Sequence, residues 1–207
     1  MMLEIRKSLY EKPKPSLLVR ILNIILAVLA TVLIVELFFG SMYTGVYVVG
    51  ESMAPTLTGA EDQFTAGGDY VYMREGAQPD YNDIVVVYWS RLGSGMDKNI
   101  IKRAVAFGGD TVEIINGVLY VNGNKVDEPY VSAEMNTSAS AYYNYGPHTV
   151  AEGKMFLLGD NRDGSNDSRQ NGDFSVEDVL GVVPQWSVNC KGMTTAWHTF
   201  FRFTLSG

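Results

Sequence analysis

At 207 residues, with a net charge of −7 and 46% apolar composition, the chain is long enough for one ordinary domain plus an accessory segment, and too apolar to remain disordered. The acidic balance excludes a nucleic-acid binder, which needs a basic face against phosphate. A single cysteine, Cys190, excludes an internal disulfide framework.

The charge is uneven along the chain. Residues 1–20 carry five basic residues against two acidic ones, a net +3, whereas residues 41–207 carry eleven against twenty, a net −9. Between them Ile21 to Phe39 reads ILNIILAVLATVLIVELFF, and a helix of that length comes close to the ~30 Å hydrocarbon core at about 1.5 Å per residue. The run is longer than a signal-peptide core and ends in Leu37-Phe38-Phe39 rather than a small-x-small exit, so it predicts an uncleaved anchor over 17–40. The positive-inside rule then leaves the basic segment 1–16 in the cytoplasm and residues 41–207 outside. Asn23 and Glu36 stand near the two ends of the span, where tilt brings them to the headgroups.

Beyond the anchor, β-branched and aromatic runs alternate with turn residues: 46–49, 69–73, 83–89, 99–107, 111–115 and 118–122, then 155–158 and 179–183. Asn116-Gly117 predicts a two-residue hairpin, and Asn122-Gly123 begins the next reversal. The outer domain is therefore mostly β. Residues 124–153, with Pro129, a Ser/Thr/Asn-rich run and Tyr142, Tyr143 and Tyr145, predict an irregular excursion engaged in surface packing. The tail is aromatic, with Trp197, Phe200, Phe201 and Phe203.

Three stretches carry the candidate chemistry. In GESMAPTL, residues 50–57, Pro55 biases the chain to a turn that presents Ser52. NIIKRAVAF, residues 99–107, sets Lys102 among large apolar side chains, where a desolvated amine can serve as a general base. At its ordinary pKa of about 10.4 a lysine is less than about 0.1% neutral at pH 7, so this reading expects an acidic limb at about 8 to 9 in the pH–rate profile. GDNRDGSNDSR, residues 159–169, is too rich in mutually satisfying polar groups for a plain solvated turn; as a calcium loop counted from Asp163 it fails, with Ser168 sixth and Phe174 twelfth. A Ser-His-Asp triad is the rival, but His148 follows a Gly-Pro turn and His198 lies in the aromatic tail. The sequence calls for no cofactor and no metal.

SMAPTL, IIKRAVAFGGDTVEI and GDNRDGSNDSR, in that order behind an N-terminal anchor, resemble the bacterial type I signal peptidases, most closely the single-anchor Gram-positive form. The resemblance implies coiled antiparallel β-sheets and a Ser-Lys endopeptidase that acts on signal peptides of exported preproteins at small-x-small sites beside the lipid bilayer. It implies Ser52 as nucleophile, Lys102 as general base and Ser165 as the residue orienting the lysine. Asp160, Arg162, Asp167, Arg169 and Arg103 then brace the wall, Ser52 and Gly50 form the oxyanion region, and Val48, Val49, Met53, Leu57 and Ile101 line the substrate pocket. Gly50 stands where the two-anchor form often has Ser, Gly108 where Pro is common, and Asn82 where Gly is common. Two alternatives are a membrane-displayed binding protein with a degenerate protease fold and a Ser-Lys peptidase dedicated to one substrate.

The charge asymmetry makes a prediction of its own. Protease added outside intact spheroplasts should digest residues 41–207 or shift the size of the protein on a gel; a protected outer domain with the first 20 residues cut would reverse the orientation.

Overall fold

A computed structural model describes residues 15–62, 65–90 and 97–205. The chain divides into two units at Met42–Tyr43. The first holds helix α1, Leu17–Gly40, opened by Ser16, whose Oγ accepts the Val19 N–H. Its 24 residues extend over about 36 Å and none is buried, so an apolar surface faces outward all round, as a helix solvated by lipid requires. Among the described residues it is the one helix long and apolar enough to cross a membrane. The basic segment 1–16 lies, except for Pro15 and Ser16, outside the described residues.

Among the described residues the second unit has eleven strands: β1 Tyr43–Tyr47, β2 Tyr70–Glu75, β3 Ile84–Ser90, β4 Asp97–Phe107, β5 Thr111–Ile115, β6 Val118–Val121, β7 Asn124–Lys125, β8 Tyr145–Thr149, β9 Lys154–Leu158, β10 Phe174–Ser175 and β11 Val179–Val183. They form a seven-stranded sheet in the order β1-β2-β11-β3-β4-β9-β10 and a four-stranded sheet in the order β7-β6-β5-β8. Every pairing of these strands is antiparallel. Short helices α2 (Ser168–Asn171) and α3 (Gln185–Asn189) and the longer α4 (Lys191–Leu205) complete the unit.

The central strands are apolar on both faces because both faces are covered. Ile84 and Val86 of β3 join Val48, Met53, Leu57, Val71, Met73, Ile101 and Val183 in one core, while Val85 and Val87 join Ala104, Met155, Leu157 and Phe174 in another. That is why DIVVVYW reads as a continuous run rather than an alternating one. The β5–β6 loop is Asn116-Gly117, and both residues have positive φ (50° and 76°), the backbone that a two-residue hairpin requires.

Strand β4 changes partner along its length. Asp97 to Arg103 pair with β3, whereas Arg103 to Phe107 pair with β9. Lys102 is the last residue before that change, at a point where the β9 side of the strand is open to other groups.

One expectation is corrected. The excursion at 124–153 is not wholly irregular: Tyr145–Thr149 forms β8 and pairs with β5. The aromatic tail, to which the sequence reading assigns no element, lies in α4.

Asp110 joins the two sheets. Its buried carboxyl accepts the Phe107 N–H at the end of β4 (2.9 Å), the Asn122 amide (2.7 Å) and the Tyr81 hydroxyl (2.8 Å). Burial alone raises its pKa, but these three donors overcome that and hold it below the ordinary carboxylate value. A depressed carboxyl adds stability above its unfolded pKa and loses it as pH falls through the folded value. Asp110→Asn should therefore cost about 1–2 kcal/mol at pH 7, and chemical unfolding at a pH acid enough to protonate the folded Asp110 should show the gap to wild type closed.

Candidate active site

The nucleophile turn is closed by its own backbone. After β1, Gly50 donates its N–H to the Ala60 carbonyl (2.8 Å) and Ala60 donates to Val48 (3.1 Å), so residues 50–60 form a tight loop. The closure needs glycine twice: Gly50 has φ +78°, and a Cβ on Gly59 would stand 1.8 Å from the Gly50 carbonyl oxygen. Met53 and Leu57 are fully buried beneath the loop, which leaves Ser52 turned to the surface of a cleft.

Lys102 enters from β4. It is 4% exposed, and its Nζ donates to Ser52 Oγ at 2.7 Å and to the Ile101 carbonyl at 2.9 Å. The two side chains, 50 positions apart in sequence, meet on the wall of an open cleft of about 1070 Å³. Val49, Val86, Trp89, Ile100, Ile101 and Gly164 also line it.

The loop 159–169 closes the site from the other side. The Asn161 N–H donates to the Ser52 carbonyl (3.1 Å), its Nδ2 donates to the Glu51 carbonyl (3.2 Å), and its Oδ1 accepts from Gly164 (2.9 Å). Ser165 Oγ is buried and has no hydrogen-bond partner. The expected hydrogen bond from Ser165 to the lysine amine is thus not formed here, because Lys102 Nζ is turned to Ser52 and to the Ile101 carbonyl. Ser165 is nevertheless close by: a Cβ built on Gly159 would lie 2.2 Å from Ser165 Oγ and 2.4 Å from the Ser52 carbonyl oxygen.

Three buried arginines hold that loop, each against its own carboxylate. Arg103 grips Asp160 with two hydrogen bonds (2.8 and 2.6 Å) and gives a third to the Asn82 carbonyl. Arg169 grips Asp167, and its guanidinium also reaches the Arg162 carbonyl (2.8 Å). Asp167 caps α2, with the Gln170 side chain reaching back to the Asp167 N–H, and accepts the Gly159 N–H (3.0 Å). Arg162 holds the Gly159 carbonyl and pairs with Glu128. Tyr130 lies over Arg103, its ring centroid 3.7 Å from the guanidinium carbon, and its hydroxyl donates to Asn82 and Glu128. Burial, then the neighbouring Glu128 charge, push the tyrosine pKa well above its usual range, so the hydroxyl remains a donor.

Glu128, Tyr130 and Asn161 are site-wall residues that the sequence reading did not single out. Arg103 and Arg169 take their carboxylates, Asp160 and Asp167, from the quoted motifs, whereas Arg162 takes Glu128 from outside them although Asp163 stands next to it in sequence. The pocket assignments divide. Val49 and Ile101 line the cleft, whereas Val48, Met53 and Leu57 are packed into the core, where they support the turn and have no surface to offer a substrate. Gly50 lines the cleft beside Ser52. Neither histidine does: His148 Nε2 meets Asp173 at 2.7 Å, and His198 stacks on Tyr70 with centroids 3.9 Å apart.

Residues 18–187 match the family described as signal peptidase, peptidase S26. Signal peptidase I S of Bacillus subtilis (strain 168) is 35% identical over 183 residues, 85% of this chain and 91% of that protein. The chain belongs to the S26 signal peptidase family. Another relative, signal peptidase I of Bacillus amyloliquefaciens, is 33% identical over 179 residues, covering 83% of this chain and 90% of its own. A crystal structure of a signal peptidase I from Enterococcus faecalis V583 has 31% identity and a TM-score of 0.44, over 52% of this chain and 98% of that one. Membership makes the protein a serine peptidase of mostly antiparallel β structure with an N-terminal apolar helix.

The Gly159 contact supplies a test of the wall. Gly159→Ala should leave the circular dichroism spectrum unchanged but lower the peptidase kcat/KM by about 100-fold, because the added methyl forces Ser165 and the Ser52 backbone apart. Wild-type rates in a folded variant would show that the close approach is dispensable.

Proposed function

We propose that the protein is a membrane-anchored endopeptidase that removes signal peptides from exported preproteins through an acyl-enzyme on Ser52, with Lys102 as general base. The observation that carries this is the 2.7 Å contact between a buried Lys102 Nζ and Ser52 Oγ on the wall of an open cleft. The names of the Bacillus relatives, both signal peptidases I, supply the substrate class.

Burial disfavours the ammonium form of Lys102. Once neutral, the amine accepts the Ser52 Oγ proton along the same short line on which an ammonium donates. Oγ attacks the scissile carbonyl carbon, and the resulting oxyanion is received by the Ser52 N–H, with Gly50 permitting close approach. The lysine ammonium then protonates the departing amine of the mature protein, leaving the signal peptide as an ester on Ser52. Water, deprotonated by the same lysine, hydrolyses that ester and releases a free carboxylate.

Ser165 is assigned the orienting role. A buried hydroxyl without a partner costs about 1–3 kcal/mol, so a small rotation of the amine toward it during turnover is favourable. Asp160, Arg162, Asp167, Arg169 and Arg103 are assigned to bracing, in keeping with the ion pairs that they make. The substrate lies extended along Asn99–Lys102 of β4, with its small side chains toward Val49 and Ile101. The basic N-terminal end is assigned to the cytoplasm and the peptidase unit to the outer side of the membrane.

Purified wild type, Ser52→Ala and Lys102→Met should be compared on a preprotein. Both variants should fold and fall by at least about 1000-fold in kcat/KM, while His148→Ala and His198→Ala keep most activity. An active Lys102→Met beside a dead histidine variant would replace the Ser-Lys mechanism with a histidine base.

A further inference from the structure

Helix α4, Lys191–Leu205, begins beyond the residues 18–187 that match the family. Over its first two turns its amphipathicity is inverted. Polar side chains there face the protein: Lys191 meets Asp69 (2.9 Å) and the Thr56 carbonyl (2.7 Å), and Thr194 Oγ1 donates to the Tyr70 carbonyl. Tyr70 in turn donates its N–H to Thr195 Oγ1 (2.7 Å), and His198 stacks on the Tyr70 ring. The residues exposed on the first turns are Gly192, Met193, Ala196, Trp197 and Thr199, with Met193 70% and Trp197 60% exposed and no charge among them.

A helix on a water-facing surface buries its apolar stripe and exposes its charges. The first turns of this one do the reverse, so their outer face is matched to an apolar environment. The chain itself supplies one. Only Ser41 and Met42 separate α1 from β1, so a chain that leaves the bilayer at Gly40 enters this sheet at once. Strand β1 pairs with β2, and β2 carries α4. An aromatic row connects the two ends of the patch. Tyr43 meets Trp186 edge-on (5.4 Å), Trp186 lies near Tyr72 (6.1 Å), Tyr72 meets Tyr70 (5.6 Å), and Tyr70 carries His198. Tryptophan and tyrosine are the side chains enriched at the membrane–water boundary.

We propose that α4 is an interfacial helix, lying in the surface of the bilayer that α1 spans, with Met193, Ala196 and Trp197 turned to the acyl chains. The inference rests on the reading of α1 as a span and extends it. The helix is tied to the nucleophile turn, since the Lys191 amine that holds α4 to Asp69 also holds the carbonyl of Thr56, four residues beyond Ser52.

The test uses the full chain in phosphatidylcholine vesicles. In a Cys190→Ser background, Met193→Cys and, separately, Ala196→Cys are labelled with an environment-sensitive NBD dye, and Glu152→Cys, at an exposed turn, serves as control. The expected result is a blue-shifted dye at 193 and 196 that doxyl-labelled lipids quench at least about twofold more than at 152. Without any label, brominated lipid should quench more of the wild-type tryptophan emission than of Trp197→Phe. Equal quenching at all three sites overturns the proposal. So does a blue shift that lipids do not quench and that grows with protein density, which would assign the face to a second copy. Loss of co-flotation with vesicles after alkaline extraction would overturn the span reading, and this inference with it.

Discussion

Ionic groups withdrawn from water are stable only when paired, and the candidate site is organised around that constraint. Asp160 and Asp167 are closed off from solvent, and each is occupied by a guanidinium that gives a further N–H to a main-chain carbonyl. Arg103 reaches Asn82, Arg162 reaches Gly159, and Arg169 reaches Arg162. A guanidinium fork can make such divided contacts because its donors are fixed in one plane, and a lysine in any of these places cannot. The ion pairs thereby set the backbone path of 159–169, and that path brings the Asn161 N–H to the Ser52 carbonyl. Removing one member of a buried pair leaves a charge uncompensated, typically about 3–5 kcal/mol, so the wall is stable as a set and fragile to single losses.

The parts of this arrangement legible in sequence are those encoded locally. Asn-Gly pairs announce hairpins because both residues tolerate positive φ, and the apolar runs of β3, β4 and β9 announce buried strands. Ser52 and Lys102, each from one of the quoted motifs, line one cleft. What escaped depends on distance in sequence. Glu128 and Arg162 are 34 positions apart, and no local pattern in Asp127-Glu128-Pro129-Tyr130 says which cation it will meet. Strand β8 escaped because Gly146-Pro147 is turn chemistry, yet tertiary pairing with β5 holds those residues extended. Helix α4 escaped because threonines and aromatics favour strands, and because its polar side is the packed one.

Asn82 shows how a departure from the family pattern can be read in physical terms. The position has φ 68°, which glycine adopts freely and asparagine better than most residues. Asparagine retains the backbone and adds an acceptor, Oδ1, for the Tyr130 hydroxyl, while its carbonyl receives Arg103. The substitution therefore fits the left-handed turn and also enters the bracing network.

The change of partner along β4 has a consequence for discrimination. A chain laid beside Asn99–Lys102 would meet main-chain donors and acceptors left unclaimed by β9, and every polypeptide owns the matching set. Such an edge measures extension and reach and is indifferent to side-chain identity. In the function proposed above, choice then falls to the few positions where a side chain would have to fit over Val49 and Ile101, and precursors sharing almost no sequence would use the same bench provided that they are small at those points.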